Sequence, residues 1–243
     1  MKTNMHMKKY ISGFLLCLLL AACGKQDDSY REFLKDGVII YTARVDSLKA
    51  FAGDSRIALS WLLVSDPKIT HCRVFWNNGA DSVNVPVQRT SGVDTCRIII
   101  PNLNENVYAF HVYTYDAKGH SSVKEEIIGT AYGSVYLSTL SNRPVRKATY
   151  KSSGKKAEIV WFGINPEAVA VDIEYTNLAD QVVKQREVAL KHPTDPNRPA
   201  AFKDTTFLEG YKQGTAIRYR TAFKPEATAI DTFYTPYEPQ TVQ

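Results

Sequence analysis

The sequence predicts an all-β chain, two tandem immunoglobulin-like β-sandwiches behind an N-terminal export segment. Three observations predict it. From Ala43 onward, apolar and polar residues alternate with period two in short runs separated by turn residues. The order of these runs occurs twice: Lys156-Ala157-Glu158-Ile159-Val160-Trp161 echoes Arg56-Ile57-Ala58-Leu59-Ser60-Trp61 one hundred residues later. A repeat this large, in two copies, describes tandem modules that each bury a core, whereas solenoid units are smaller and cannot.

The first element is the export segment. Lys8 and Lys9 precede an apolar run from Ile11 to Leu20, and Leu20-Ala21-Ala22-Cys23 closes it. Positive start, short apolar middle and small residues before a cut are the order of a secretory signal. The run falls short of the ~20 residues that a membrane-spanning helix needs. These four residues resemble the bacterial lipobox. The resemblance implies cleavage before Cys23, lipidation of Cys23 and attachment to the membrane through acyl chains. Next comes Gly24-Lys25-Gln26-Asp27-Asp28. Lys25, Asp27 and Asp28 resemble the lipoprotein export signal of Bacteroidota, which implies an outer-membrane location facing the cell exterior. The alternative is an ordinary solvated linker on a periplasm-facing anchor.

Residues 1–22 are thus the signal peptide, 23–42 a polar tether with a short helix around Tyr30 to Leu34, 43–135 the first sandwich and 142–240 the second. Cleavage leaves 221 of the 243 residues and removes Lys2, Lys8 and Lys9, which lowers the formal charge from +5 to +2. So small a charge gives no electrostatic reason to expect nucleic acid.

In the first sandwich the expected strands are Val45 to Phe51, Arg56 to Leu63, Thr70 to Trp76, Val83 to Val87, Thr95 to Ile100, Val107 to Tyr115 and Ser122 to Tyr132. Asn77-Asn78-Gly79 supplies a positive-φ turn. Pro86 places its strand at an edge. In the second they are Val145 to Tyr150, Lys156 to Trp161, Ala168 to Tyr175, Val182 to Leu190, Phe202 to Phe207, Thr215 to Phe223 and Ala229 to Tyr234. Seven short strands at this spacing fit one sandwich each. The join falls near Tyr136 to Arg143 and has no long linker, so end-to-end packing with limited bending is expected.

Trp61 on the second strand, with Leu103 and Tyr108 before and within the sixth, resembles the fibronectin type III pattern. The resemblance implies a tyrosine corner at Tyr108, although the spacing is one residue short. Trp161 repeats the tryptophan, but Ile217 stands at the corner position. Residues from about Tyr30 to Pro144 also resemble a Bacteroidota lipoprotein family known only as a domain of unknown function. The segments that carry this are Tyr30 to Gly37, Arg44 to Leu48, Leu59-Ser60-Trp61 with Asp66-Pro67, Phe75 to Ser82, and Ser138 to Pro144 with Asn142-Arg143-Pro144. This second resemblance implies an accessory role in a polysaccharide-utilisation system. A glycan is then the expected ligand and an outer-membrane transporter complex the expected protein partner.

No catalytic set stands out. There is no G-x-S-x-G, no H-E-x-x-H and no phosphate-cradling glycine loop, and the expectation is a non-enzyme without metal or cofactor. Beyond the signal, histidines occur at His71, His111, His120 and His192, and His71 and His111 fall outward on neighbouring strands. Glu125 and Glu126 point to opposite faces. Asp172 and Glu174 share a face but no visible cleft, and are expected on a solvated sheet surface. Cys72 and Cys96 both point inward and can be a disulfide or two buried thiols.

The period-two pattern singles out one outward set. With Cys72, Val74, Trp76, Tyr108, Phe110 and Val112 inward, His71, Arg73, Phe75, His111, Tyr113 and Tyr115 face out from adjacent strands. Aromatic and basic side chains gathered on a solvent face mark an interaction surface. Two readings stay open: a site for an external ligand, or a face that packs on the second sandwich. The functional expectation is a lipid-anchored binding or scaffolding protein that serves glycan capture. An adhesion or assembly module that binds protein is the alternative, and a diverged hydrolase is the third class.

Overall fold

Each alternating run forms a strand in the computed structural model, which describes residues 40–190, 194 and 201–243. The signal peptide, Cys23, Lys25, Asp27, Asp28, the helix expected at Tyr30 to Leu34 and His192 lie outside the described residues. The first seven strands are β1 (Asp46–Asp54), β2 (Ile57–Leu63), β3 (Ile69–Trp76), β4 (Asp81–Pro86), β5 (Asp94–Ile100), β6 (Asn106–Asp116) and β7 (Glu125–Tyr132). They make two layers, β1-β2-β5 and β4-β3-β6-β7, joined where Gly53 and Asp54 of β1 run parallel to Ala131 and Tyr132 of β7. This three-on-four order is a fibronectin type III-like sandwich. As the sequence suggests, β4 with Pro86 is an edge.

Period two decides what is buried between the layers. Ile57, Leu59, Trp61 and Leu63 from β2 meet Cys72, Val74, Phe110 and Val112 from the opposite sheet, all without solvent exposure. Tyr108 forms the corner despite the short spacing: its hydroxyl donates to the Asn104 carbonyl at 3.0 Å while its ring joins the core.

The second sandwich repeats the order. Its strands are β8 (Val145–Lys151), β9 (Lys156–Trp161), β10 (Ala168–Thr176), β11 (Val182–Val188), β12 (Thr205–Leu208), β13 (Ile217–Phe223), β14 (Phe233–Tyr234) and β15 (Glu238–Gln240). One layer is β8-β9-β12; the other is β11-β10-β13, with β14 and β15 both lying along β13. Of the run expected over Ala229 to Tyr234 only Phe233–Tyr234 is strand, and pairing along β13 resumes at Glu238 after a gap. Pro236, which has no N–H to donate, lies in the gap. Trp161 is buried, and its indole N–H donates to the Thr206 hydroxyl at 3.0 Å. Ile217 is fully buried at the corner position. Tyr211, also fully buried, takes over the tie by donating its hydroxyl to the Thr215 carbonyl.

Between the sandwiches the chain forms a short helix, α1 (Ser134–Thr139), where the sequence suggests only a join. Gly133 at its start offers no capping side chain. The cap comes instead from Glu105, whose carboxylate accepts the N–H groups of Val135 and Tyr136, both at 2.7 Å. Tyr132, Tyr136 and Phe233 pack edge to face around the junction, and the Tyr136 hydroxyl donates to Glu167 at 2.7 Å. Thr42–Gln243 accordingly form one compact unit.

Asn142-Arg143 is tied into the second sandwich, in keeping with a boundary at residue 142. Asn142 donates to the Pro236 carbonyl and accepts from the Thr235 hydroxyl. The Arg143 guanidinium, 3 % exposed, donates to the carbonyls of Phe162 and Lys203 and lies against the rings of Trp161 and Phe202. A buried charge must find such partners, so this motif is fixed by the core it enters.

A candidate binding face on the first sandwich

The register of β3 and β6 sets three cross-strand pairs on the outer face: His71 with Tyr115, Arg73 with Tyr113, and Phe75 with His111. All six residues of the outward set are therefore contiguous. His71 and Tyr115 stack with ring centroids 4.9 Å apart and planes within 6°. Tyr113 meets Phe75 edge to face at 5.8 Å, and the Arg73 guanidinium lies 4.7 Å from the Phe75 centroid. These ring contacts hold the side chains in place before any ligand arrives.

Two shallow open depressions border this cluster. One, of about 400 Å³, is lined by His71, Arg73, Ser82, Asn84 and Tyr115. The other, of about 450 Å³, is lined by Phe75, Asn78, Gly79, His111, Tyr113 and Tyr115. Every lining residue belongs to the first sandwich. Ser82 and Asn84 are the polar members that the outward set lacks. They were legible too, because alternation on β4 puts them opposite Phe75 and Arg73 on β3. The Ser82 hydroxyl accepts from Arg73 at 3.0 and 3.3 Å. Asn78 and Gly79 reach the rim through a turn with three successive positive φ values, 51°, 55° and 84° at Asn77, Asn78 and Gly79. Of these, Gly79 adopts its angle without Cβ strain.

His111 Nε2 lies 3.3 Å from the Glu126 carboxylate, which also takes the Lys124 ammonium at 2.7 Å. The hydrogen bond from Lys124, more than that from His111, holds the Glu126 carboxyl below the usual range. Glu125 points the other way and meets Arg44 at 3.2 Å. The same outer surface continues into Val107 and Ile128, which are 60 % and 66 % exposed.

The other acidic pair borders a small open depression of about 200 Å³, where the sequence suggests no cleft. On the outer face of β10, Asp172 lies between Arg186 at 2.8 Å and Arg220 at 3.1 Å, and Glu174 between Arg218 at 2.5 Å and Lys184 at 3.3 Å. Tyr234 and Tyr237 cover Arg220 with ring centroids at 4.0 and 4.8 Å. Glu174 is 7 % exposed, and its carboxyl is lowered foremost by the hydrogen bond from Arg218. Each carboxylate thus bridges two cations across the sheet, an arrangement that ties β10 to β11 and β13. Among the described residues no group of three His, Cys, Asp or Glu side chains could hold a metal ion, and no helix is long and apolar enough to cross a membrane.

Among solved structures, the chain is similar to the crystal structure of chicken CNTN1 FN1-FN3 domains at 12 % identity, covering 85 % of this chain and 70 % of that one with a TM-score of 0.45. It is also similar to the central fibronectin-III array of RIM-binding protein at 14 % identity, covering 84 % of this chain and 62 % of that one with a TM-score of 0.30. No curated protein matches it. One family matches residues 23–233, running through both sandwiches rather than stopping near Pro144 as the resemblance of the quoted segments implies. The chain belongs to that family, DUF4998, described as a domain of unknown function.

Proposed function

We propose that this protein is a non-enzymatic, lipid-anchored surface module that captures glycan on the outer face of β3 and β6. One observation carries the reading. Preorganised rings (Phe75, Tyr113, Tyr115) and hydrogen-bonding groups (Arg73, Ser82, Asn84) alternate around open depressions large enough for sugar rings. Flat aromatic faces stack on the C–H face of a pyranose, and the polar groups take its hydroxyls. Sites that recognise small ligands combine apolar walls with a few fixed polar groups in this manner. The lipobox at Leu20 to Cys23 supports the anchor, and the acidic stretch with Asp27 and Asp28 supports surface exposure. The family match also begins at residue 23. A fibronectin-like scaffold suits a binding or scaffolding role alongside an outer-membrane transporter.

The test is a glycan array followed by titration calorimetry on the parent and the Phe75→Ala/Tyr113→Ala variant. The variant loses binding at least tenfold while its melting temperature stays within about 2 °C, because outward residues add little to the core. Unchanged glycan binding in a folded variant overturns the assignment. Exposed Val107 and Ile128 on the same sheet favour a second reading, a protein partner docked across this surface. In that case the array is blank and a pulled-down partner is lost on Ile128→Asp. Cys23→Ala abolishes acylation and membrane fractionation if the anchor reading holds. Alanine at Lys25, Asp27 and Asp28 keeps the anchor but removes access by protease added to intact cells.

A further inference from the structure

We propose that Cys72 and Cys96 are a disulfide-forming pair that staples the two sheets of the first sandwich together. Cys72 lies on β3 and Cys96 on β5, in opposite layers. Cys72 is fully buried, and Cys96 packs against the same core from an edge strand and keeps partial access to solvent. Within the core the two sulfurs lie close enough to perturb each other's ionisation. Cys96 is also the cross-strand partner of Trp61, so the indole lies beside the pair. That neighbourhood holds both buried side-chain polar atoms found without a hydrogen-bond partner among the described residues, Trp61 Nε1 and Arg89 Nε. Arg89 is anchored by the Leu63 carbonyl at 2.8 Å and by Asp94, and its charge acts on both sulfurs.

These surroundings divide the work between the thiols. Its contact with Cys96, then burial, pushes the Cys72 thiol up. The same contact pulls the Cys96 thiol down, with the Arg89 charge helping against burial and Asp94. Cys96 is thus the reachable thiol with thiolate character, as the first attacker must be, and Cys72 is the resolving thiol.

The co-reactant is a disulfide-bearing oxidant, such as glutathione disulfide or an oxidised protein dithiol. The Cys96 thiolate attacks one sulfur of the oxidant; its S–S bond breaks and the other sulfur leaves as a thiolate. Cys72 then gives up its proton and attacks the Cys96 sulfur. The Cys72–Cys96 bond forms and the second oxidant sulfur departs. In sum the two cysteine thiols lose two electrons and two protons, and the oxidant becomes two thiols.

The experiment equilibrates the full chain with glutathione disulfide or with reduced glutathione, then denatures it, alkylates free thiols and digests it with trypsin. After oxidation, fragments 69–73 and 90–97 are found joined, and they are separate and alkylated after reduction. The oxidised form melts several degrees higher, because the bond restricts the unfolded chain. In Cys72→Ala, Cys96 retains glutathione as a mixed disulfide. Mapping the parent alone decides the matter if that variant does not fold. Alkylation of both cysteines after oxidation, pairing of either with Cys17 or Cys23 instead, or an oxidised form that melts no higher than the reduced one overturns the proposal.

Discussion

Arg56 at the start of the second strand grips Asp231, 175 residues away, through both carboxylate oxygens. Nε donates to Oδ2 at 2.9 Å, and the terminal nitrogen donates to Oδ1. The Asp54 N–H donates to the same Oδ2 at 2.9 Å, and the Ile230 N–H donates to the Ala52 carbonyl at 2.8 Å. Bidentate geometry and partial burial of the acid make this stronger than an ordinary surface pair.

Replacing the two partners separates these contributions. Arg56→Ala is expected to cost on the order of 1 kcal/mol, and Asp231→Ala about 2 kcal/mol because it also strands the Asp54 N–H. Urea unfolding of both single variants and the double variant measures the coupling. A coupling indistinguishable from zero means that the pair adds nothing to the junction.

Acid weakens the same clasp. The hydrogen bond from Arg56, ahead of the partly opposing effect of burial, holds the Asp231 carboxyl below its ordinary range. A depressed carboxylate stabilises the fold fully above its unfolded value of about 3.9 and loses that contribution as pH falls through the folded value. The stability difference between the parent and Asp231→Asn is therefore largest near neutrality and shrinks below about pH 4. A constant difference from pH 7 to pH 2.5 contradicts this.

Gly53 is held to glycine by the clasp. A Cβ there would lie 2.6 Å from Asp231 Oδ2, 2.9 Å from the Arg56 carbonyl oxygen and 2.9 Å from Ile230 Cγ1. Gly53→Ala is expected to cost about 1–3 kcal/mol by forcing these groups apart. Denaturant unfolding reads the loss. In the Asp231→Ala background part of it is relieved, since one of the three contacts is gone.

Arg143 tests whether the second sandwich depends on residues ahead of its first strand. Arg143→Ala removes two partly buried hydrogen bonds and the cation beside Trp161 and Phe202, with an expected cost of about 2 kcal/mol. Arg143→Lys rescues little, because an ammonium cannot reproduce the planar fork. A shift in thermal midpoint below about 2 °C for Arg143→Ala sinks this account.

Most strands were legible because one half-buried face imposes period two, and Ile57, Leu59, Trp61 and Leu63 display it without interruption. The outer set from His71 to Tyr115 was legible for the same reason: fixing one face fixes the other. What stayed hidden depends on distant partners. Ser134 to Thr139 carries weak helix formers and no capping side chain of its own, and Glu105, some thirty residues upstream, supplies the cap. Tyr211 replaces the corner tyrosine from a loop before β13, where no strand pattern marks it. Asn142 and Arg143 are legible as the start of the second sandwich, but their partners at Phe162, Lys203, Thr235 and Pro236 are not. Asp172 and Glu174 look exposed because alternation counts faces and not the long cations that lie over them.

Burial of Asn142 and Arg143 in the second sandwich, together with Glu105 of the first holding the helix between, bears on ancestry. A genetic cut just after Arg143 would leave the second fragment with an unfilled slot and the first with a dangling plug. Recombination at that point is thereby penalised. The family match likewise runs across the junction, from residue 23 to residue 233.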